Sequence, residues 1–133
     1  MPNIATYDAK EVSVIVGGIN ITGFAEDTIV KASKKENNSS ESVSAQGDVG
    51  VAITNNTLGE VTVPLNQTSP SIAYLNNLAN TNKIVDVWVK SNNDVKETVG
   101  GTKARVVKPA DVEFGSKISN REFTFSVYDY TVK

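Results

Sequence analysis

Val12-Ser13-Val14-Ile15-Val16-Gly17-Gly18-Ile19-Asn20-Ile21 decides the fold class. Val12, Val14 and Val16 alternate with Ser13 and Ile15, the period of two that a pleated strand imposes. Gly17-Gly18 interrupts the run, and Ile19 and Ile21 then resume the alternation with Asn20 and Thr22. Two glycines can both take positive φ, which a two-residue hairpin turn requires. The stretch therefore predicts a β-hairpin, and the wider composition agrees with it. The chain holds 19 Val, 9 Ile and 12 Thr against 4 Leu. Side chains branched at Cβ suit a pleated surface better than a helix.

With 133 residues, the chain fits one domain, residues 1–133. Hydrophobic residues make up 39% and charged residues 21%, enough for a lean core and too apolar for a disordered chain. Absences exclude more than any motif includes. Without Cys or His there is no disulfide, thiolate nucleophile, Cys/His zinc site or imidazole base. A net charge of −2 argues against a protein that grips nucleic acid electrostatically. Met1-Pro2-Asn3-Ile4 opens no basic-then-apolar leader, and Val12 to Ile21 is too short and too polar for a membrane span. The expectation is a soluble chain made without export, with no membrane partner.

Further along, a second strand is expected around Asp27–Ser33, followed by the wholly polar Glu36-Asn37-Asn38-Ser39-Ser40-Glu41-Ser42, which reads as a solvated loop tip. Val43, Ala45, Val49, Val51 and Ile53 share one parity of a single long, half-wet strand bent at Gly47 or Gly50, and Val61, Val63 and Leu65 continue after a turn at Asn55–Gly59. Pro64 cannot donate to a ladder and predicts an edge strand. Ser69-Pro70-Ser71 opens one helix at about residues 70–80, with Ser69 as cap and Ile72, Leu75, Leu78 and Ala79 as its apolar stripe. Strands are expected at Val85–Val89, Ala104–Lys108, Val112–Phe114 and Arg121–Val132, with Gly100-Gly101 as a turn or link.

No constellation carries chemistry. Asp111 and Glu113 share a strand face, but two acids on one exposed face make no cleft. Asn92-Asn93-Asp94 with Glu97 lacks the spacing of a calcium loop. Five Asn-x-Ser/Thr sequons, at Asn20, Asn37, Asn38, Asn55 and Asn66, are what so much Asn, Ser and Thr produces by chance. Tyr74 and Trp88 read as core anchors. No catalytic residue, metal or cofactor is expected, and the chain is not read as an enzyme. Long strands with one polar face leave edges that proteins rarely leave open, which hints at assembly.

From Phe24-Ala25-Glu26-Asp27 onward the order of features resembles the tail tube proteins of bacteriophages. Its most specific stretch runs from Gln46-Gly47-Asp48-Val49-Gly50 through Asn55-Asn56-Thr57-Leu58-Gly59-Glu60-Val61-Thr62-Val63-Pro64-Leu65 to Thr68-Ser69-Pro70-Ser71. The resemblance implies a mainly β, sandwich- or barrel-like domain with one helix, whose sheet is completed across subunits into a tube-lining barrel. Hexameric rings would stack into a channel that conducts DNA without binding it, in a virion tail assembled in the host cytoplasm. Implied partners are further copies of the chain, baseplate and terminator proteins, a sheath protein and a tape measure protein. On this reading Ser44, Gln46, Asp48, Thr54, Glu60 and Thr62 face the lumen. Val43, Val49, Val51, Ile53, Val61 and Val63 pack on the domain's own core. Glu36, Asn37, Asn38, Ser39, Ser40, Glu41 and Ser42 form an arm to the adjacent ring. The alternative is a monomeric β-sandwich binding module for carbohydrate or adhesion.

Overall fold

The computed structural model describes residues 12–25, 30–93 and 96–133. In chain order the elements are β1 (Val12–Val16), β2 (Ile19–Ile21), β3 (Lys31–Lys34), β4 (Ser39–Val43) and β5 (Val49–Ile53). They continue with β6 (Gly59–Asn66), α1 (Ile72–Thr81), β7 (Val85–Ser91), β8 (Glu97–Val106), β9 (Asn120–Val127) and β10 (Thr131–Val132). Among the described residues, one antiparallel sheet runs β2-β1-β7-β8-β9-β6-β3, and β10 adds to β8 beside this path. β4 and β5 pair only with each other.

The first hairpin is as its sequence predicts. Val16 pairs with Ile19 across Gly17 and Gly18, whose φ values of 58° and 82° no branched residue adopts easily. A Cβ at Gly17 would also sit 2.5 Å from the Tyr74 hydroxyl. That hydroxyl donates to the Val16 carbonyl at 3.0 Å and ties the helix to the hairpin. Burial, with the Asp86 charge adding, pushes the Tyr74 phenol above its ordinary pKa. Tyr74→Phe should lower stability by about 1 kcal/mol in urea unfolding, the worth of one ordinary hydrogen bond.

One face of the sheet is apolar because alternate residues point the same way. Val14, Val16, Val61, Val63, Leu65, Val87, Ala104, Val106, Phe123, Phe125 and Val127 are buried there and form one cluster with Leu75, Leu78 and Ala79 of the helix. The helix starts later than its sequence suggests. Ser71 is the N-cap, and Pro70 lies in the turn before it. The Ser69 hydroxyl accepts the Ser71 N–H and donates to the Thr22 carbonyl, while the Ser71 hydroxyl accepts the Thr22 N–H at 3.1 Å. Both serines thus fasten the helix to the first hairpin. Asn82, left-handed at φ 52°, ends the helix.

Several expectations are corrected. The polar stretch Glu36–Ser42 is not a loop tip, because Ser39 to Val43 form β4, and the long strand expected from Val43 onward does not exist, because the chain turns back at Ser44–Asp48 to pair β5 with β4. Val43, Val49, Val51 and Ile53 do not pack on the domain's core. Their hairpin is a separate sheet, so they are 58–71% exposed, and only Val61 and Val63 are core. Pro64 does not mark an outer strand, since β6 lies between β9 and β3. It lies beyond the β3 ladder, which ends at Thr62, so no β3 carbonyl needs a donor from it, and its own carbonyl accepts the Ala25 N–H.

Gly100-Gly101 is no turn but the middle of β8. Val112–Phe114 is irregular and exposed, because no strand of the sheet lies beside it. The terminal strand breaks at Tyr128–Asp129 into β9 and β10. Trp88 is half-buried on the face away from the core, directly opposite Gly100. β3 spans Lys31–Lys34, and the expected strand's start at Asp27, like Asp94 and the N-terminus, lies outside the described residues.

Candidate assembly interface

Pairing of Ser39 with Ile53, Glu41 with Val51 and Val43 with Val49 puts these six side chains on one face of the β4–β5 hairpin. That face is a Val/Ile stripe with one carboxylate, Glu41, in its middle. Ser40, Ser42, Gly50 and Ala52 occupy the other face. Every residue of β5, and all of β4 but Ser39, is exposed. A two-stranded hairpin alone in water is marginal, and apolar stripes of this size are usually covered. Its turn is nonetheless well formed. The Ser44 N–H donates to the Asp48 carbonyl at 2.7 Å, the Ser44 hydroxyl accepts the Asp48 N–H, and Gly47 takes φ 89°.

The root of the hairpin is fixed to the body. The Lys34 ammonium donates to the Asn38 side chain at 2.6 Å, and the Thr54 N–H donates to the Asn38 carbonyl at 2.8 Å. The Thr57 hydroxyl donates to the Tyr128 carbonyl, and the Tyr130 N–H donates to the Thr57 carbonyl. The Tyr130 ring covers Gly59, where any Cβ would collide with it. An open polar groove of about 540 Å³ lies among Lys34, Glu36, Asn37, Asn38, Tyr130 and Val132.

Asp129 holds the turn that positions Tyr130. Its carboxylate accepts the Thr102 hydroxyl and the N–H groups of Thr102 and Lys103. Burial works to raise its pKa, but these hydrogen bonds outweigh it and hold the carboxyl below its usual range. A lowered folded pKa means stability that is present above the unfolded value, about 3.9, and lost as pH falls through the folded one. Asp129→Ala should cost about 1 kcal/mol at pH 7 after allowance for exposure, and the difference should shrink on acidification to pH 3. Urea titrations at the two pH values check this.

The outer face of the sheet is polar. Ser33, Glu60, Ser126 and Arg105 lie side by side across four strands, with Lys31, Thr62 and Thr124 in the next row. Glu60 pairs with Lys35 at 2.5 Å, half in water, so the pair adds little stability. The six residues assigned to a lumen therefore fall into two groups. Glu60 and Thr62 belong to this outer face, whereas Ser44, Gln46 and Asp48 sit at the hairpin turn and Thr54 at its root. Of the assigned arm, Glu36, Asn37 and Asn38 lie at the root, and Ser39, Ser40, Glu41 and Ser42 are strand.

Sequence reading missed a second exposed apolar surface, the segment 107–119 between β8 and β9. Phe114 is 82% exposed, and Val107, Val112 and Ile118 are exposed with it. The segment is not slack. Arg121, 5% exposed, donates to the Glu113 carbonyl and the Ser119 hydroxyl, and its guanidinium lies 5.4 Å from the Phe114 ring centre. An arginine on the same strand face as Phe123, Phe125 and Val127 was the available signal. Asp111 meets Lys108 at 3.5 Å in an exposed pair rather than forming an acid dyad with Glu113. No group of three or more His, Cys, Asp or Glu side chains among the described residues could hold a metal. No helix among the described residues is long and apolar enough to cross a membrane.

By sequence, the chain matches no protein-family model and no curated protein. By structure, it is similar to a chain of the sheath/tube terminator of an extracellular contractile injection system (PVC), in the extended state. That match has a TM-score of 0.69 and 15% identity, and covers 96% of each chain. It is similar to the tube-terminating cap of the anti-feeding prophage (AFP), at TM-score 0.64 and 12% identity, over 100% of this chain and 94% of that one. A chain of the extended PVC sheath–tube complex follows at TM-score 0.56 and 12% identity, covering 96% and 91%. The chain thus shares its fold with chains of contractile injection systems and of the anti-feeding prophage cap, and it is the mainly β single domain with one helix that its resemblance to tail tube proteins implies.

Proposed function

We propose that the chain is a structural subunit of a contractile, phage-tail-like particle and forms a sixfold ring at the end of its tube. The observation that carries the reading is the β4–β5 hairpin, which exposes its Val/Ile stripe and both strand edges while its root is hydrogen-bonded into place. A fixed hairpin of this kind is built to meet another chain. The end of the tube is favoured over its shaft because the matches with the higher TM-scores are a terminator and a terminating cap. In the ring, the open edges of β2 and β3 and the hairpin join neighbouring copies, which removes edges by closure. Tube and sheath subunits are the partners above and below.

The outer face bearing Glu60 and Thr62 then lines the channel, passing cargo, DNA in a phage, without binding it. The role assigns no catalytic chemistry to any residue. Sedimentation velocity of the purified chain over a concentration series tests the reading. A discrete species of six chains supports a terminator, unlimited polymer supports a shaft subunit instead, and a monomer at all concentrations, with or without added tube, contradicts both. A monomer that binds in a sugar screen would favour the carbohydrate-binding alternative.

A further inference from the structure

The two exposed apolar surfaces stand at opposite ends of the same pair of strands. β6 and β9 pair from Gly59 and Val127 at one end to Asn66 and Asn120 at the other. At about 3.4 Å per residue, those seven steps span roughly 24 Å. The hairpin leaves at the Gly59 end, where the Lys35 N–H donates to the Leu58 carbonyl. The segment 107–119 is fastened at the Asn66 end, where the Gln67 N–H donates to the Ser119 carbonyl and the Gln67 side chain accepts the Ser119 N–H.

Charge also sets the surfaces apart, since residues 107–119 carry Lys108 and Lys117 beside Asp111 and Glu113, and Lys108 is already paired with Asp111. From residue 36 to residue 60 the chain contains Glu36, Glu41, Asp48 and Glu60 and no Lys or Arg. Glu41 lies in the middle of the apolar stripe, and among the described residues it has no ion-pair partner. Lys117, next to Ile118 and three residues from Phe114, is likewise unpaired among the described residues. A carboxylate covered by an apolar surface costs several kcal/mol unless a cation comes with that surface. Two apolar surfaces of one chain, one with a central unpaired carboxylate and one with an unpaired lysine beside it, therefore stand at opposite ends of the β6–β9 pair.

We infer that the Val/Ile face of the hairpin docks on the Phe114 segment, residues 107–119, of the next copy, with Glu41 of one copy facing Lys117 of the other. The occupant of each surface is a second copy of this chain. Such a head-to-tail contact repeats, and it closes into a ring when the rotation between copies divides a full turn. Arg121 makes the receiving surface ready before contact, since holding the Glu113 carbonyl and the Phe114 ring in place lowers the ordering cost of binding. The inference rests on the ring reading and names the surface that the ring buries.

Because the chain has no cysteine, a cross-link reports the contact without background. The double variant Val51→Cys with Phe114→Cys, oxidised at a concentration where rings form, should give a ladder of covalent multimers on denaturing gels, and each single variant nothing beyond a dimer. In sedimentation, Glu41→Lys and Lys117→Glu should each weaken assembly roughly tenfold, and the two together should restore it. Rings that form normally in both charge variants and give no ladder would overturn this contact and leave the ring reading standing. If the unaltered chain forms no oligomer and no ladder appears, both fall. All four positions are exposed and outside the core, so circular dichroism melts should stay close to the parent chain's, with Phe114→Cys losing only the ring contact to Arg121.

Discussion

A chain carrying Val51→Asp and Ile53→Asp is expected to fold normally and to remain monomeric where the parent chain forms rings. The two side chains are 58% and 71% exposed in the single copy and lie outside the core, so the main sheet and helix do not depend on them. Substitutions at such sites usually change stability by less than about 0.5 kcal/mol. In the proposed ring both would be covered. Each buried Val or Ile contributes roughly 1.5–3 kcal/mol, and a carboxylate in its place adds a desolvation cost. A combined loss on the order of 4 kcal/mol corresponds to about a thousandfold weaker association. The added charges also join a stretch that already lacks any cation between residues 36 and 60. Sedimentation velocity beside a thermal melt separates the two effects. A variant that still forms rings would show that the stripe is not the interface.

The second large effect concerns the fold that presents these surfaces. Gly100 adopts φ 143° within β8, and a Cβ there would collide with the carbonyl oxygen of Val87 on the adjacent strand. The close approach is also what lets Trp88 lie opposite Gly100 while Val87 stays in the core. Because the obstruction is backbone, no rotamer change relieves it. Gly100→Ala should cost roughly 3–4 kcal/mol, lowering the melting temperature by about 10–15 °C in a domain of this size. An unchanged melting temperature would mean that the β7–β8 contact is looser than the structure has it. β8 also pairs with β10, which leads from the Asp129 turn and Tyr130 at the hairpin root, so this variant should weaken assembly as well.

What the sequence made legible was whatever local periodicity controls. The first hairpin followed from alternation around Gly17-Gly18, the core strands from Val61, Val63, Phe123, Phe125 and Val127, and the helix from its apolar spacing. At Val43, Val49, Val51 and Ile53 the resemblance placed on the domain's own core a face that the single chain leaves exposed. Their alternation is real, but alternation states only that one face is apolar and not which molecule covers it. The Glu36–Ser42 stretch misled for a related reason. A polar strand in a hairpin with small, wet side chains has the composition of a loop. Gly100-Gly101 carried the composition of a turn, yet serves the close packing of two strands. The Phe114 surface stayed hidden because it depends on Arg121 folding a loop back, a contact that no periodic pattern encodes.

Electron microscopy of the purified chain, with class averages of single particles, decides whether it is a ring former. Closed rings of six copies, with the β4–β5 hairpin of each copy seated on its neighbour, are the expected result. Particles that stay single at high concentration and remain so when tube is added would contradict it.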